Sequence, residues 1–232
     1  MAVPKEWLNE LRAAREQFDH GDGAITTQEQ LDAFEKGWKS RRDKLRPGEK
    51  EEDFELVDRV GKPLGIHARR WICHLLGLRH RCAHVLVRWT TPGLGRVLVL
   101  QVRSWSKPDS PGHLDISVGG HAVGKLSSEQ TAHQEMEEEL GISRDFLIGC
   151  KLLSRGGYAN DLDERPEKNF YNVEWRDVYL ADLIPSHFSD LRFNDDEVAG
   201  LYLCPELQAK SLLDRKQLPI ASALRQFLKT FF

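Results

Sequence analysis

The stretch Ser117–Ile142, SVGGHAVGKLSSEQTAHQEMEEELGI, constrains this chain more than any other. Gly119, Gly120 and His121 close a predicted strand. After a loop, Ser127 with Gln130 forms a capping-box pattern that opens a helix, and Gly141 ends it. Within the helix Ala132, Met136 and Leu140 recur every fourth position, an apolar stripe suited to packing on a sheet. Glu135, Glu138 and Glu139 stand at i, i+3 and i+4 and share a different face. Carboxylates that close repel, each like-charged neighbour costing about 0.2–0.5 kcal/mol even on a solvated helix. A hard divalent cation offsets this, because Mg²⁺ takes a few carboxylates, several waters and substrate phosphate oxygens. A plain acidic, water-facing helix is the alternative.

The spacing decides between them. The stretch resembles the Nudix box, G-x5-E-x7-R-E-U-x-E-E-x-G-U with U aliphatic: Gly120, Glu135, Met136, Glu138, Glu139, Gly141 and Ile142 match in register. Two positions depart, with Leu126 where the first Glu belongs and Gln134 where the Arg belongs. The resemblance implies an α/β class and an α/β/α sandwich with a mixed β-sheet. It further implies a metal-dependent pyrophosphohydrolase that cleaves a small X-diphosphate. Mg²⁺ or Mn²⁺ would be held by Glu135, Glu138, Glu139 and the backbone of Gly120. Glu135 is expected to act as general base, with Glu138 or Glu139 as rival. Loss of a carboxylate at Leu126 implies fewer ions held, and slower turnover or a stricter metal requirement.

The flanks are similar to the branch that contains type I isopentenyl-diphosphate isomerases and their hydrolase-like cousins. In that branch an Arg and a Lys four residues later grip the diphosphate, and Arg103 and Lys107 have that spacing. His80 and His121 match imidazole metal ligands of the isomerases. Glu174 matches a later carboxylate and is grouped with Arg103 and Lys107 as a substrate-binding residue. Asn172 replaces the other acidic member, and Gly119 stands where the isomerases carry the Cys their proton transfer needs. His74 and His84 read as structural. Two competing readings follow, an isomerase, against which Gly119 argues, and a binding or regulatory module without turnover.

The rest of the chain frames this stretch. Residues 5–18 and 28–45 read as helices, the second opened by Thr27 and Gln30. They form an N-terminal extension (1–50) to a Nudix domain (51–232), with Trp7 and Trp38 expected to pack rather than face solvent. Strands are expected over 54–60, 80–89, 96–104, 146–155, 169–183 and 197–204. A turn is expected at 61–65, and helices over 68–77, 206–213 and 220–232. The loop GGYANDLDERPEK and the extension are where substrate specificity would lie. The 33 basic and 36 acidic residues give a net charge of -3, so no basic field argues for a nucleic-acid polymer. No apolar run approaches 18 residues and no signal-type start is seen, which points to a cytoplasmic chain with no membrane partner. Cys73, Cys82, Cys150 and Cys204 lack metal spacing and read as packing residues. Nudix relatives are often dimers, which leaves a homodimer open.

Overall fold

A computed structural model describes residues 3–18, 26–107, 109–156, 162–193 and 196–232. Residues 19–25, between the two expected N-terminal helices and expected there as a turn at 20–25, and positions 157–161 of the expected specificity loop lie outside the described residues. In chain order the elements are α1 (Lys5–Gln17), α2 (Gln28–Trp38), α3 (Arg42–Leu45), β1 (Asp53–Val57), β2 (Pro63–Arg69), α4 (Arg70–Leu76), β3 (His80–Thr91) and β4 (Gly95–Arg103). Then come β5 (Leu114–Asp115), β6 (Val118–His121), α5 (Ser128–Leu140), β7 (Leu147–Ser154), β8 (Leu162–Arg165), β9 (Phe170–Leu183), β10 (Val198–Pro205) and α6 (Ser222–Phe231). The chain is α/β, a mixed sheet flanked by helices and preceded by helices, as expected. It forms two compact units, residues 1–82, 121–126 and 159–176 in the first and 83–120, 127–158 and 177–232 in the second.

The second unit is an α/β/α sandwich by its own side chains. β4 pairs antiparallel with β3 and with β10, and β7 with β9. Because successive strand residues point to opposite faces, Val85, Val87, Val99, Tyr179 and Ala181 bury against Ala132, Met136 and Leu140 of α5. Their neighbours Leu86, Leu98, Leu100, Val178 and Leu180 bury against Leu224, Phe227 and Leu228 of α6. The apolar stripe read from α5 is fully buried at all three positions. Truncating such a side chain typically costs about 2–5 kcal/mol, so the acidic helix is fixed by its back face.

The first unit has a separate core. Leu11 of α1, Leu31 and Phe34 of α2, Phe54 of β1 and Trp71 of α4 pack together, with Trp7 and Trp38 half-buried against them. Thr27 and Gln30 form the expected reciprocal cap, but the second helix is interrupted by a 3₁₀ turn at Lys39–Arg41, just beyond Gly37, whose helix propensity is poor. The turn expected at 61–65 is displaced to 58–62. Asp58 Oδ1 there accepts from the amides of Val60 and Lys62, each at 2.9 Å, and Pro63–Arg69 is a strand. The stretch 206–213 is 3₁₀ rather than α.

Gly61 sits at φ +77°, and a Cβ there would lie 2.2 Å from the Trp175 ring. A rigid indole cannot swing aside as a chain end can. Gly61→Ala is therefore expected to cost roughly 2–4 kcal/mol through strain and overpacking, read as a shift in the urea midpoint. Among the described residues no helix is long and apolar enough to cross a membrane.

Candidate functional site

Two clusters of chemistry stand out, one in each unit. In the second unit the acidic helix is pinned at both ends. Ser127 and Gln130 cap each other, Gln130 Oε1 accepting from the Ser127 amide at 2.9 Å and Ser127 Oγ from the Gln130 amide at 3.2 Å. Ser128 Oγ donates to the fully buried carboxylate of Asp177 at 2.5 Å and lies 2.8 Å from the Tyr179 hydroxyl. At the far end Gly141 turns left-handed at φ +67°, and the Ile142 amide bonds the Met136 carbonyl at 3.0 Å.

The three helix glutamates have three environments. Glu139 is 6% exposed, Glu135 is half-buried and Glu138 faces solvent. Glu135 closes on β6: a Cβ on Gly120 would fall 2.0 Å from its carboxylate. Glu139 accepts from Gln101 Nε2 of β4 at 3.3 Å. Burial first, then the neighbouring Glu135, push its carboxyl up to about 8, while Lys107 and Arg103 pull the other way. With Asp115, which also pushes it up, three carboxylates and two cations therefore act on one another across this site. Glu138 accepts from Gln134 Nε2 at 2.7 Å, so the amide at the box's Arg position reaches a carboxylate one turn on.

The two cations are already engaged by acidic partners. Arg103 Nη1 donates to Asp115 Oδ2 at 3.0 Å and its Nε to the Asp109 carbonyl at 3.1 Å. Lys107 pairs with Glu197. A diphosphate would compete for both, with Arg offering a planar fork and Lys a point charge. At Gly119 a Cβ would meet Ile116 at 3.1 Å and His84 at 3.4 Å, so the place of the isomerase Cys is tight even for a methyl group.

In the first unit His74 of α4, His80 of β3 and His121 of β6 each bring a potential ligand atom within 4.8 Å of the others. His74 Nδ1 lies 2.9 Å from Glu49 Oε1, and His80 Nδ1 lies 2.8 Å from the Leu78 carbonyl. The second ring nitrogens of both, Nε2, are buried without a hydrogen-bond partner. Each such atom costs roughly 1–3 kcal/mol if left bare, and a cation at the centre would satisfy both. Burial lowers the pKa of His74 to about 4 and that of His80 well below the ordinary value, which keeps the neutral, ligating form. Phe54 stacks on His80 and His121, with ring centroids 4.7 and 4.8 Å away. Glu174 is buried here and accepts from His121 Nε2 at 3.0 Å, Asn172 Nδ2 at 2.6 Å and Arg176 Nε at 2.6 Å.

Of the residues singled out in the sequence, Gly120, Glu135, Glu139, Arg103 and Lys107 fall in the second unit's cluster, with Glu138 on its solvent side. His80, His121 and Glu174 fall in the first unit's. Gln101, Asp115 and His74 were not singled out for the site. Gln101 was the most readable, as a lone amide within the apolar run VLVLQV.

The same unit yields a pH-dependent prediction. Glu52 receives a 2.6 Å bond from Arg70 Nη1. Burial alone would raise its pKa, but the charge and bond of Arg70 outweigh that and lower it. A carboxylate depressed in the fold stabilises it above the unfolded value and loses that contribution as pH falls. Glu52→Gln is thus expected to cost about 1 kcal/mol at pH 6 and much less at pH 3, measured by urea unfolding at both.

No family model matches the chain. It is similar to Nudix hydrolase 3 of Arabidopsis thaliana, 29% identical over 169 residues, which is 72% of this chain and 21% of that protein. An uncharacterized Nudix hydrolase of Streptomyces coelicolor is 38% identical over 93 residues, 40% of this chain and 49% of the other. The chain thus spans half or less of the length of these curated relatives. Among solved structures, that of DR0079 from Deinococcus radiodurans covers 78% of this chain and all of its own, with TM-score 0.57 and 20% identity, a likeness of fold.

Proposed function

We propose that this chain belongs to the broad Nudix hydrolase superfamily and is a metal-dependent pyrophosphohydrolase acting on a small X-diphosphate, either a nucleoside-diphosphate derivative or an isoprenoid diphosphate. The observation that carries the reading is Glu139, buried beside Glu135 and within reach of the charges of Arg103 and Lys107. A buried carboxylate pair is costly unless a cation joins it. The donor set is all oxygen, Glu135, Glu138, Glu139 and the Gly120 carbonyl, which suits Mg²⁺ or Mn²⁺. Bound there, such an ion would supply phosphoryl polarisation and an acidified water. Glu135 would take a proton from water at its carboxylate, with Glu138 or Glu139 as the rival base. Arg103 and Lys107, released from Asp115 and Glu197, hold the departing phosphate.

His80, His121 and Glu174, gathered in one cluster with His74, support the likeness to the isomerase-related hydrolase branch, in which Glu174 would bind substrate. The tight space at Gly119 weighs against isomerase chemistry itself. Residues 51–232 would be the hydrolase domain and 1–50 its helical extension, in a chain that works in the cytoplasm, where its four free cysteines stay reduced. A homodimer is in keeping with this reading.

A panel of diphosphate substrates with Mg²⁺ or Mn²⁺, scored by chromatography, tests the proposal. Metal-dependent cleavage of at least one compound is expected, with Glu138→Gln slowing it at least about tenfold. Binding without any product would leave a regulatory module instead.

A further inference from the structure

We propose that Glu49, carried by the segment that joins the N-terminal helices to β1, is the positioning residue that fixes His74 as an Nε2 ligand. Cation occupancy of the histidine cluster is then coupled to the docking of the extension. This rests on the reading of His74, His80 and His121 as a cation site. A carboxylate can only accept, so the Glu49 contact at 2.9 Å puts the hydrogen of a neutral His74 on Nδ1 and leaves a lone pair on Nε2. A carbonyl can only accept as well, so the Leu78 contact does the same for His80. Both lone pairs are buried and without donors, on residues that together with His121 bring potential ligand atoms within 4.8 Å of one another. Hydrogen-bonding one imidazole nitrogen to a carboxylate or carbonyl orients the other toward a metal and raises its basicity.

Glu49 is itself held hard in place. Its side chain is 5% exposed and also accepts from Arg46 Nε at 2.8 Å and Arg70 Nε at 2.9 Å. Arg46 stacks over Phe170, 4.5 Å from the ring centroid, and Phe170 lies 5.0 Å from the His74 ring. The segment 46–49 and the histidine cluster are therefore one packed assembly. Imidazole donors suit a borderline divalent ion such as Zn²⁺, Fe²⁺ or Co²⁺ better than Mg²⁺.

Titration of the full chain with Co²⁺, followed by its visible ligand-field bands, tests this in a Glu135→Gln/Glu138→Gln/Glu139→Gln background that removes the three helix carboxylates proposed to hold a metal. Bands should appear, and His80→Ala should abolish them. Glu49→Ala should weaken Co²⁺ binding roughly 10–100-fold and alter the bands. Glu49→Gln keeps an acceptor for His74 and should lose less, so it carries the test if the Ala variant does not fold. Unchanged Co²⁺ affinity in a destabilised Glu49 variant would make Glu49 merely structural and overturn the proposal. No uptake by the parent would remove the histidine cluster as a cation site, and the proposal with it, while leaving the hydrolase reading of the acidic helix intact.

Discussion

Glu139→Gln is expected to cut metal-dependent diphosphate cleavage by roughly 10²–10³-fold while making the cation-free protein more stable. The two effects have one cause. Glu139 is nearly buried beside Glu135, and its carboxyl is pushed up to about 8 from an ordinary 4.5, by burial first and by Glu135 second. A carboxyl whose pKa is higher in the folded than in the unfolded chain favours folding only below the unfolded value. That contribution drains away as pH rises from about 4.5 toward 8. At neutral pH the cation-free fold therefore carries a penalty that an uncharged isostere lacks. Glutamine should recover about 1–3 kcal/mol, seen as a higher urea midpoint in EDTA. Its amide oxygen can still take the Gln101 hydrogen bond, so packing is preserved. Added Mg²⁺ should stabilise the parent and not the variant. A variant that lost activity and stability together would mark Glu139 as a structural residue and sink the site.

How far such a site can be read from sequence depends on whether its parts are local. The acidic helix was legible because its caps and its fourfold apolar stripe lie within one short segment, and both appear where the pattern put them, whereas its three glutamates, expected on one face, meet three environments. Partners brought in by other strands were not. Gln101 reaches Glu139 only because β4 runs beneath α5, and nothing near Gln101 in the chain announces that. His74 sits in the apolar run WICHLL, where one imidazole reads as core. Its place in a cluster emerges only from Glu49, 25 positions earlier, and from His121, which arrives on β6. β2 was misplaced for a related reason. Pro63 and Gly65 are turn residues by preference, but among the described residues β2 pairs only with β1, and an edge strand tolerates both. The 3₁₀ stretch at 206–214 has helical composition, and its tighter winding depends on how it packs at Ala209 and Leu212 beneath α6.

Gly120→Ala separates the site's geometry from the fold's stability most sharply. Gly120 does not adopt a positive φ, so alanine meets no backbone strain there. What it meets is Glu135: the new methyl would lie 2.0 Å from the carboxylate carbon and oxygen and 2.5 Å from Cγ. These atoms are the far end of a flexible, half-buried side chain, which can rotate away for less than about 1 kcal/mol. The fold should hardly register the change. The carboxylate, however, cannot return to its place over the β6 backbone, where it and the Gly120 carbonyl would share one ion. Misplacing a reacting group by about 1 Å can cost roughly 10²-fold. Gly120→Ala should therefore lower the cleavage rate about 10–10²-fold and raise the Mg²⁺ concentration needed for half-maximal rate, with a urea midpoint close to the parent's. Gly149→Ala is the control, since a Cβ there has nothing within 4 Å and should leave rate and metal requirement unchanged. Equal rates for the two variants would mean that Glu135 does its work elsewhere, or none at all.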